Sequence, residues 1–173
     1  YYIRTKANDI ANNGVVYSEI SEITTENFKG ITITPSSTNW TTSKTVTIEG
    51  STTGATLQYK VVSGTTVKTD WTTYGSAITI DWIATTKEPT YVYARFYDGT
   101  NYSNEETLTI TTIDTTKPIF EVDGITKTTK SITIPYSGED NESGIKSVVC
   151  HYGTSTSYGS KGTISDNKCI INN

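Results

Sequence analysis

TYVYARFYDGTNYSNEETLTITT, residues 90–112, is two runs of alternating side chains joined by Asp98-Gly99-Thr100-Asn101. Val92, Ala94 and Phe96 share one face of the first run, and Tyr91, Tyr93 and Arg95 share the other. In the second run Leu108 and Ile110 alternate with Thr107, Thr109 and Thr111. A period of two in β-branched and aromatic residues, broken by Asp-Gly, predicts a hairpin with one buried face. The opening of the chain repeats it. Residues 1–25, YYIRTKANDIANNGVVYSEISEITT, align with Tyr2 on Tyr91, Ile3 on Val92, Asp9 on Asp98 and Tyr17-Ser18 on Tyr102-Ser103. Asn12-Asn13-Gly14 is then the first turn, and the chain reads as a repeat protein.

Between the two hairpins lie further short alternating runs. They are Ile31 to Pro35, Thr45 to Ile48, Leu57 to Val61, a polar loop around Gly64, then Trp71 to Tyr74 and Ala77 to Ile80. About seven short strands in about eighty residues suit two packed sheets. Alternation places Ile33, Val46, Ile48, Leu57, Val92, Ala94, Phe96, Leu108 and Ile110 in one core. Beyond Asp114-Thr115-Thr116-Lys117-Pro118 the pattern restarts. Ile119 to Val122, Ser131 to Pro135, Ile145 to Tyr152, Tyr158 to Ile164 and Lys168 to Ile171 read as strands. That segment has the front of a sandwich and no closing hairpin, whereas residues 1–25 are a closing hairpin with no front. The expected fold class is all-β: tandem sandwich modules, one complete and two truncated at the chain ends. The boundaries are a hairpin at 1–28, a complete sandwich at 29–113 and a front part at 114–173.

Composition agrees with strands and narrows function. The 173 residues carry a formal net charge of −4 and are 34% hydrophobic. Thr, Ser, Tyr, Val and Ile dominate over helix formers. Only Arg4 and Arg95 are arginines and no basic block exists, so nucleic acid is not an expected partner. No apolar run approaches a membrane span. Met is absent even at position 1, which reads as an excised or processed piece of a longer frame.

Enzyme chemistry lacks an inventory. His151 is the single histidine, and its neighbour Cys150 would point to the opposite face of a strand, parting nucleophile from base. Zinc-ligand spacing is absent, and no cofactor is expected. Calcium has a candidate set in Asp114, Asp140 and Glu142, because hard cations take oxygen ligands; the alternative is an acidic turn and linker. Tyr91 and Tyr93, with Tyr97 in the same alternation and Trp71, Tyr74 and Trp82 near in sequence, are candidates for stacking on sugar rings. Cross-strand pairing is the plainer reading. Cys150 and Cys169 are either a bridge or two free thiols, since sequence alone does not bring them together.

Residues 29–113 resemble the bacterial immunoglobulin-like repeats of Gram-positive surface proteins. The likeness rests on Leu57-x-Tyr59, Ser63-Gly64, Trp71-x-x-Tyr74, Val92-Tyr93-Ala94-Arg95, Asp98 and Tyr102-Ser103. Residues 114–173 and 1–25 are similar to the two parts of a fibronectin type III-like module. There the likeness rests on Asp114-x-x-x-Pro118, Ser131-Ile132-Thr133-Ile134, Asp140-x-x-Ser143-Gly144-Ile145, then Tyr2, Arg4, Ala7-x-Asp9 and Tyr17-Ser18-Glu19. The resemblance implies non-catalytic spacer or stalk repeats of a larger extracellular, cell-surface or secreted protein. Their partners would be neighbouring modules of the same polypeptide. The alternatives are an adhesion or carbohydrate-binding module meeting a surface glycan or host protein, and an accessory segment of a phage protein or secreted enzyme.

Overall fold

The structure is a computed structural model and describes residues 2–8, 15–22 and 30–172. Among these, every regular element is a β-strand and the sheets are antiparallel. The first four strands are β1 (Tyr2–Ile3), β2 (Lys6–Asn8), β3 (Val15–Tyr17) and β4 (Ser21–Glu22). β1 pairs with β4 and β2 with β3, which is one hairpin in two nested rungs. Its expected turn at Asn12-Asn13-Gly14, and most of the following joint, lie outside the described residues.

The central region builds two sheets. One has the order β5-β6-β9, from β5 (Thr32–Pro35), β6 (Lys44–Glu49) and β9 (Ile78–Ile80). The other has the order β11-β10-β7-β8, from β7 (Thr56–Ser63), β8 (Thr66–Thr73), β10 (Thr90–Tyr97) and β11 (Glu106–Ile110). Strict alternation makes β6 and β10 two-faced, and the apolar faces of the two sheets meet. Val46, Ile48 and Ile80 of the first sheet pack on Val61, Val92, Ala94 and Ile110 of the second. Ala84 and Ile113 close one end, where Ile113 bridges both Ala84 and Thr41. Of the expected core, Ile33, Leu57 and Leu108 are only partly buried and line its edge. Phe96 is buried at the opposite end, against Gly50: a Cβ at Gly50 would stand 3.0 Å from the Phe96 ring, so only glycine fits without displacing it.

One departure here has a clear cause. The stretch after Gly64, expected as a polar loop, is the first part of β8. Gly64 takes φ +54° and turns the chain at once, so Val62 already faces Val67. β8 is an edge strand whose residues are mostly exposed, so it lacks the apolar alternation that reveals inner strands.

The C-terminal region follows the same order with less core. β12 (Ile119–Val122), β13 (Thr126–Lys127) and β18 (Lys168–Asn172) pair with β14 (Ser131–Glu139), and β17 (Thr163–Ser165) pairs with β18. A ribbon of β15 (His151–Tyr152) and β16 (Ser160–Lys161) stands apart. The expected strand from Ile145 to Tyr152 is a strand only over its last two residues, because β16 offers partners only there. Cys150 and Cys169 form a disulfide, with Cα atoms 5.6 Å apart, tying the start of β15 to β18. Among the described residues they are this region's only buried apolar residues. Gly162 lies against the bridge: a Cβ there would fall 2.6 Å from the Cys150 sulfur and 2.9 Å from the Ile170 carbonyl oxygen.

Candidate functional site

Two constellations lie where the sequence pointed. The first is the outer face of the four-stranded sheet. Tyr91 and Tyr93 alternate with buried Val92 and Ala94, so both rings are outward and half-buried, with centroids 6.2 Å apart. Tyr93, Lys60, Val62, Trp71 and Glu105 line a shallow cavity of about 160 Å³. Trp71 does belong to this face; Tyr74 and Trp82 do not. The Tyr74 hydroxyl accepts the Ile48 N–H of the facing sheet at 3.0 Å, and Trp82 donates its indole N–H to buried Thr90 at 3.0 Å. Both pack on the core.

Arg95 organises that face, and the reading of the tyrosines passed over it. Its guanidinium lies 3.7 Å from the Trp71 ring centroid and 3.7 Å from that of Tyr102, and Tyr102 stacks on Tyr97 at 4.7 Å. Arg95 Nε donates to Gln58 Oε1 (3.3 Å) and Nη1 stands 3.6 Å from Glu105. A planar, weakly hydrated cation between two rings is held by face-on attraction from both. The period of two places Arg95 on the tyrosine face, so the signal was available.

The same clasp recurs in the first hairpin. Arg4 stands 4.0 Å over the Tyr17 ring. Ser18 Oγ accepts the Thr5 N–H and donates to the Glu19 carbonyl, while the Ser18 N–H donates to the Thr5 carbonyl. In the second hairpin Ser103 makes the same three bonds with Phe96 and Asn104. The repeat is therefore real in structure, but its first strand is in a different register from the sequence alignment. Arg4 corresponds to Arg95 and Thr5 to Phe96, two residues away from the match of Tyr2 to Tyr91. A shift of two preserves which face each residue takes, so alternation alone did not detect it.

The second constellation is the joint after Ile113. Carboxylate oxygens of Asp114, Asp140 and Glu142 lie within 4.8 Å of one another. Asp114 Oδ1 accepts the Thr116 N–H (2.9 Å) and hydroxyl (2.7 Å), and Oδ2 accepts the Ser143 hydroxyl (2.6 Å) and N–H (3.2 Å). These donors, the Ser143 hydroxyl foremost, hold the Asp114 carboxyl down to about 2. Asp140 Oδ1 accepts the N–H groups of Glu142, Ser143 and Gly144, and Thr116 Oγ1 lies 2.8 Å from Glu142. As built, the cluster is a clasp joining residues 114–116 to the turn at 140–144, with donors from the chain itself.

In β6, Lys44 is 2% exposed. Its ammonium donates to the carbonyls of Ser37 (2.9 Å) and Asn39 (2.6 Å) and reaches Thr41 Oγ1 at 3.4 Å, fastening the loop that carries Trp40. Burial lowers its pKa. The disulfide, meanwhile, removes Cys150 as a thiolate beside His151.

Compared with known protein families, the chain matches no family model, and it matches no curated protein at a significant level. No helix among the described residues is long and apolar enough to cross a membrane.

Proposed function

We propose that this chain is a run of immunoglobulin-like and fibronectin type III-like spacer modules of a larger extracellular or cell-surface protein, acting by geometry rather than by chemistry. The observation that carries this reading is the Asp114 clasp. A short linker would by itself leave two regions free to swing; here the linker's own carboxylate is bonded to Ser143 in the next region. The disulfide supports an oxidising compartment. Small-angle scattering tests the reading. The chain gives an elongated, narrow distance distribution, and Asp114→Ala with Ser143→Ala broadens it. An unchanged distribution in the double variant removes the mechanical role. An accessory segment of a phage protein or secreted enzyme would share this geometry.

A second reading, adhesion through a glycan, is favoured by the Tyr91–Tyr93 face with Trp71 and Lys60 at its side. Rings stack on sugar faces while charged neighbours orient the hydroxyls. Retention on immobilised glycans that is lost in Tyr93→Ala would establish it.

A further inference from the structure

We infer that the outer face of the four-stranded sheet takes the end of an uncharged glycan, with one pyranose ring over Tyr93 and the next over Tyr91; this rests on the adhesion reading and gives it a ligand class.

The two tyrosines form the floor. The period of two turns both rings outward, while Val92 and Ala94 between them are fully buried and fix the strand from below. The ring centroids are 6.2 Å apart and the planes differ by 32°. That spacing is close to the step between neighbouring rings of an extended pyranose chain. Such rings lay their C–H faces on aromatic faces and leave their hydroxyls at the rim. The tyrosine hydroxyls are available too. Tyr74 and Tyr97 engage theirs with the Ile48 N–H and the Gly99 carbonyl. Among the described residues, none hydrogen-bonds the hydroxyl of Tyr91 or Tyr93, so each can donate to or accept from a ligand hydroxyl.

Strand pairing sets the two banks. On β11, exposed Thr109 lies opposite Tyr91 and exposed Thr107 opposite Tyr93. On β7, Val62 and Lys60 take the corresponding places. Trp71 and Glu105 complete the cavity of about 160 Å³ at Tyr93. There the groove stops. The next outward residue of β10 is Arg95, whose guanidinium is covered by the Trp71 and Tyr102 rings, each centroid 3.7 Å away. That stack is a wall, and it holds the indole in place before any ligand arrives. At the Tyr91 end the neighbours are Thr109, Val62 and, beyond Val62, Val67 at 49% exposure. Two ring positions with one end closed and the other open suit the end of a chain.

Charge selects against acidic sugars. Lys60 is matched by Asp70 at 3.8 Å, and Arg95 by Glu105 at 3.6 Å. Two cations and two carboxylates cancel, so a sialylated or sulfated sugar gains no net attraction. The hydroxyls of a neutral sugar find donors and acceptors on both sides.

Retention of the full chain on a glycan array, followed by calorimetry with the glycans retained, tests this. The array carries neutral hexose and N-acetylhexosamine oligomers, from one sugar to six, with their sialylated and sulfated counterparts. Neutral glycans should be preferred, with a Kd that sodium chloride leaves unchanged. Affinity should rise from one sugar to two and then level off, at one protein per glycan chain. Tyr91→Ala and Tyr93→Ala should each weaken disaccharide binding about tenfold. Thr107→Trp, at an exposed strand position opposite Tyr93, should fill the groove and abolish binding with unchanged circular dichroism, which keeps the test decisive if a tyrosine variant misfolds. Preference for acidic glycans, affinity that climbs with every added sugar, or several proteins on one chain overturns this inference and leaves the adhesion reading standing. No glycan retained, or retention indifferent to all three substitutions, overturns both.

Discussion

Lys44 shows how one residue can be decisive without being reactive. An ammonium removed from water costs several kcal/mol unless it is well bonded, and here the acceptors are backbone carbonyls of its own loop. Lys44→Met should destabilise the chain by about 1–3 kcal/mol, because two carbonyls lose a charged donor; denaturant unfolding measures it. The pH dependence has a definite sign. With the folded pKa lowered from 10.5, the unfolded chain binds more protons in that window, so stability from this group rises as pH approaches 10.5. Lys44→Met should flatten that rise. Asp114 acts at the other end of the scale. Its carboxyl is held near 2 against 3.8, so its contribution is complete above about pH 4 and is lost as pH falls towards 2. Asp114→Asn should remove that acid limb of the stability curve. Millimolar calcium should move the melting temperature little, because the clasp already has its donors. A rise that a chelator reverses would instead assign Asp114, Asp140 and Glu142 to a cation. Gly162→Ala should disturb the Cys150–Cys169 bridge, read as slower oxidative refolding and faster reduction.

At the scale of elements, β10 carries the central core. Phe96→Ala should cost about 3–5 kcal/mol, as for a large buried truncation; a loss under about 1 kcal/mol would mean that the ring does not anchor its end of the core. β10 and β6 were legible because one face is buried and the other is not; the first hairpin was legible because it repeats the second in sequence. Lys44 was readable in principle, since it continues the inward alternation of Val46 and Ile48, but a lysine on a core face runs against composition. β8 was hidden by its polar edge. The run from Ile145 was over-read for the opposite reason: alternation announces a strand, but a strand exists only where a neighbour pairs with it. Of the outer face, the tyrosines and the placement of Arg95 were legible, but its stack was not, because Trp71 reaches it from β8 across β7, a strand order that sequence does not give.

At the scale of the whole molecule, the two well-described regions are held together by different means. The central one has a packed interior between two sheets. Among the described residues the C-terminal one buries only its two cysteines as apolar side chains, and a covalent link stands where packing is thin. That link has a mechanical meaning. If the molecule is stretched along its length, strands shear apart and slack chain is paid out to the load. The 19-residue separation of Cys150 and Cys169 is excluded from that slack, which shortens the fully drawn thread by about 60 Å at about 3.5 Å per residue. Optical-tweezer traces recorded with and without a reductant should differ by that length. A stalk so constructed would lengthen in steps under load, and the redox state of its surroundings would set how far it yields.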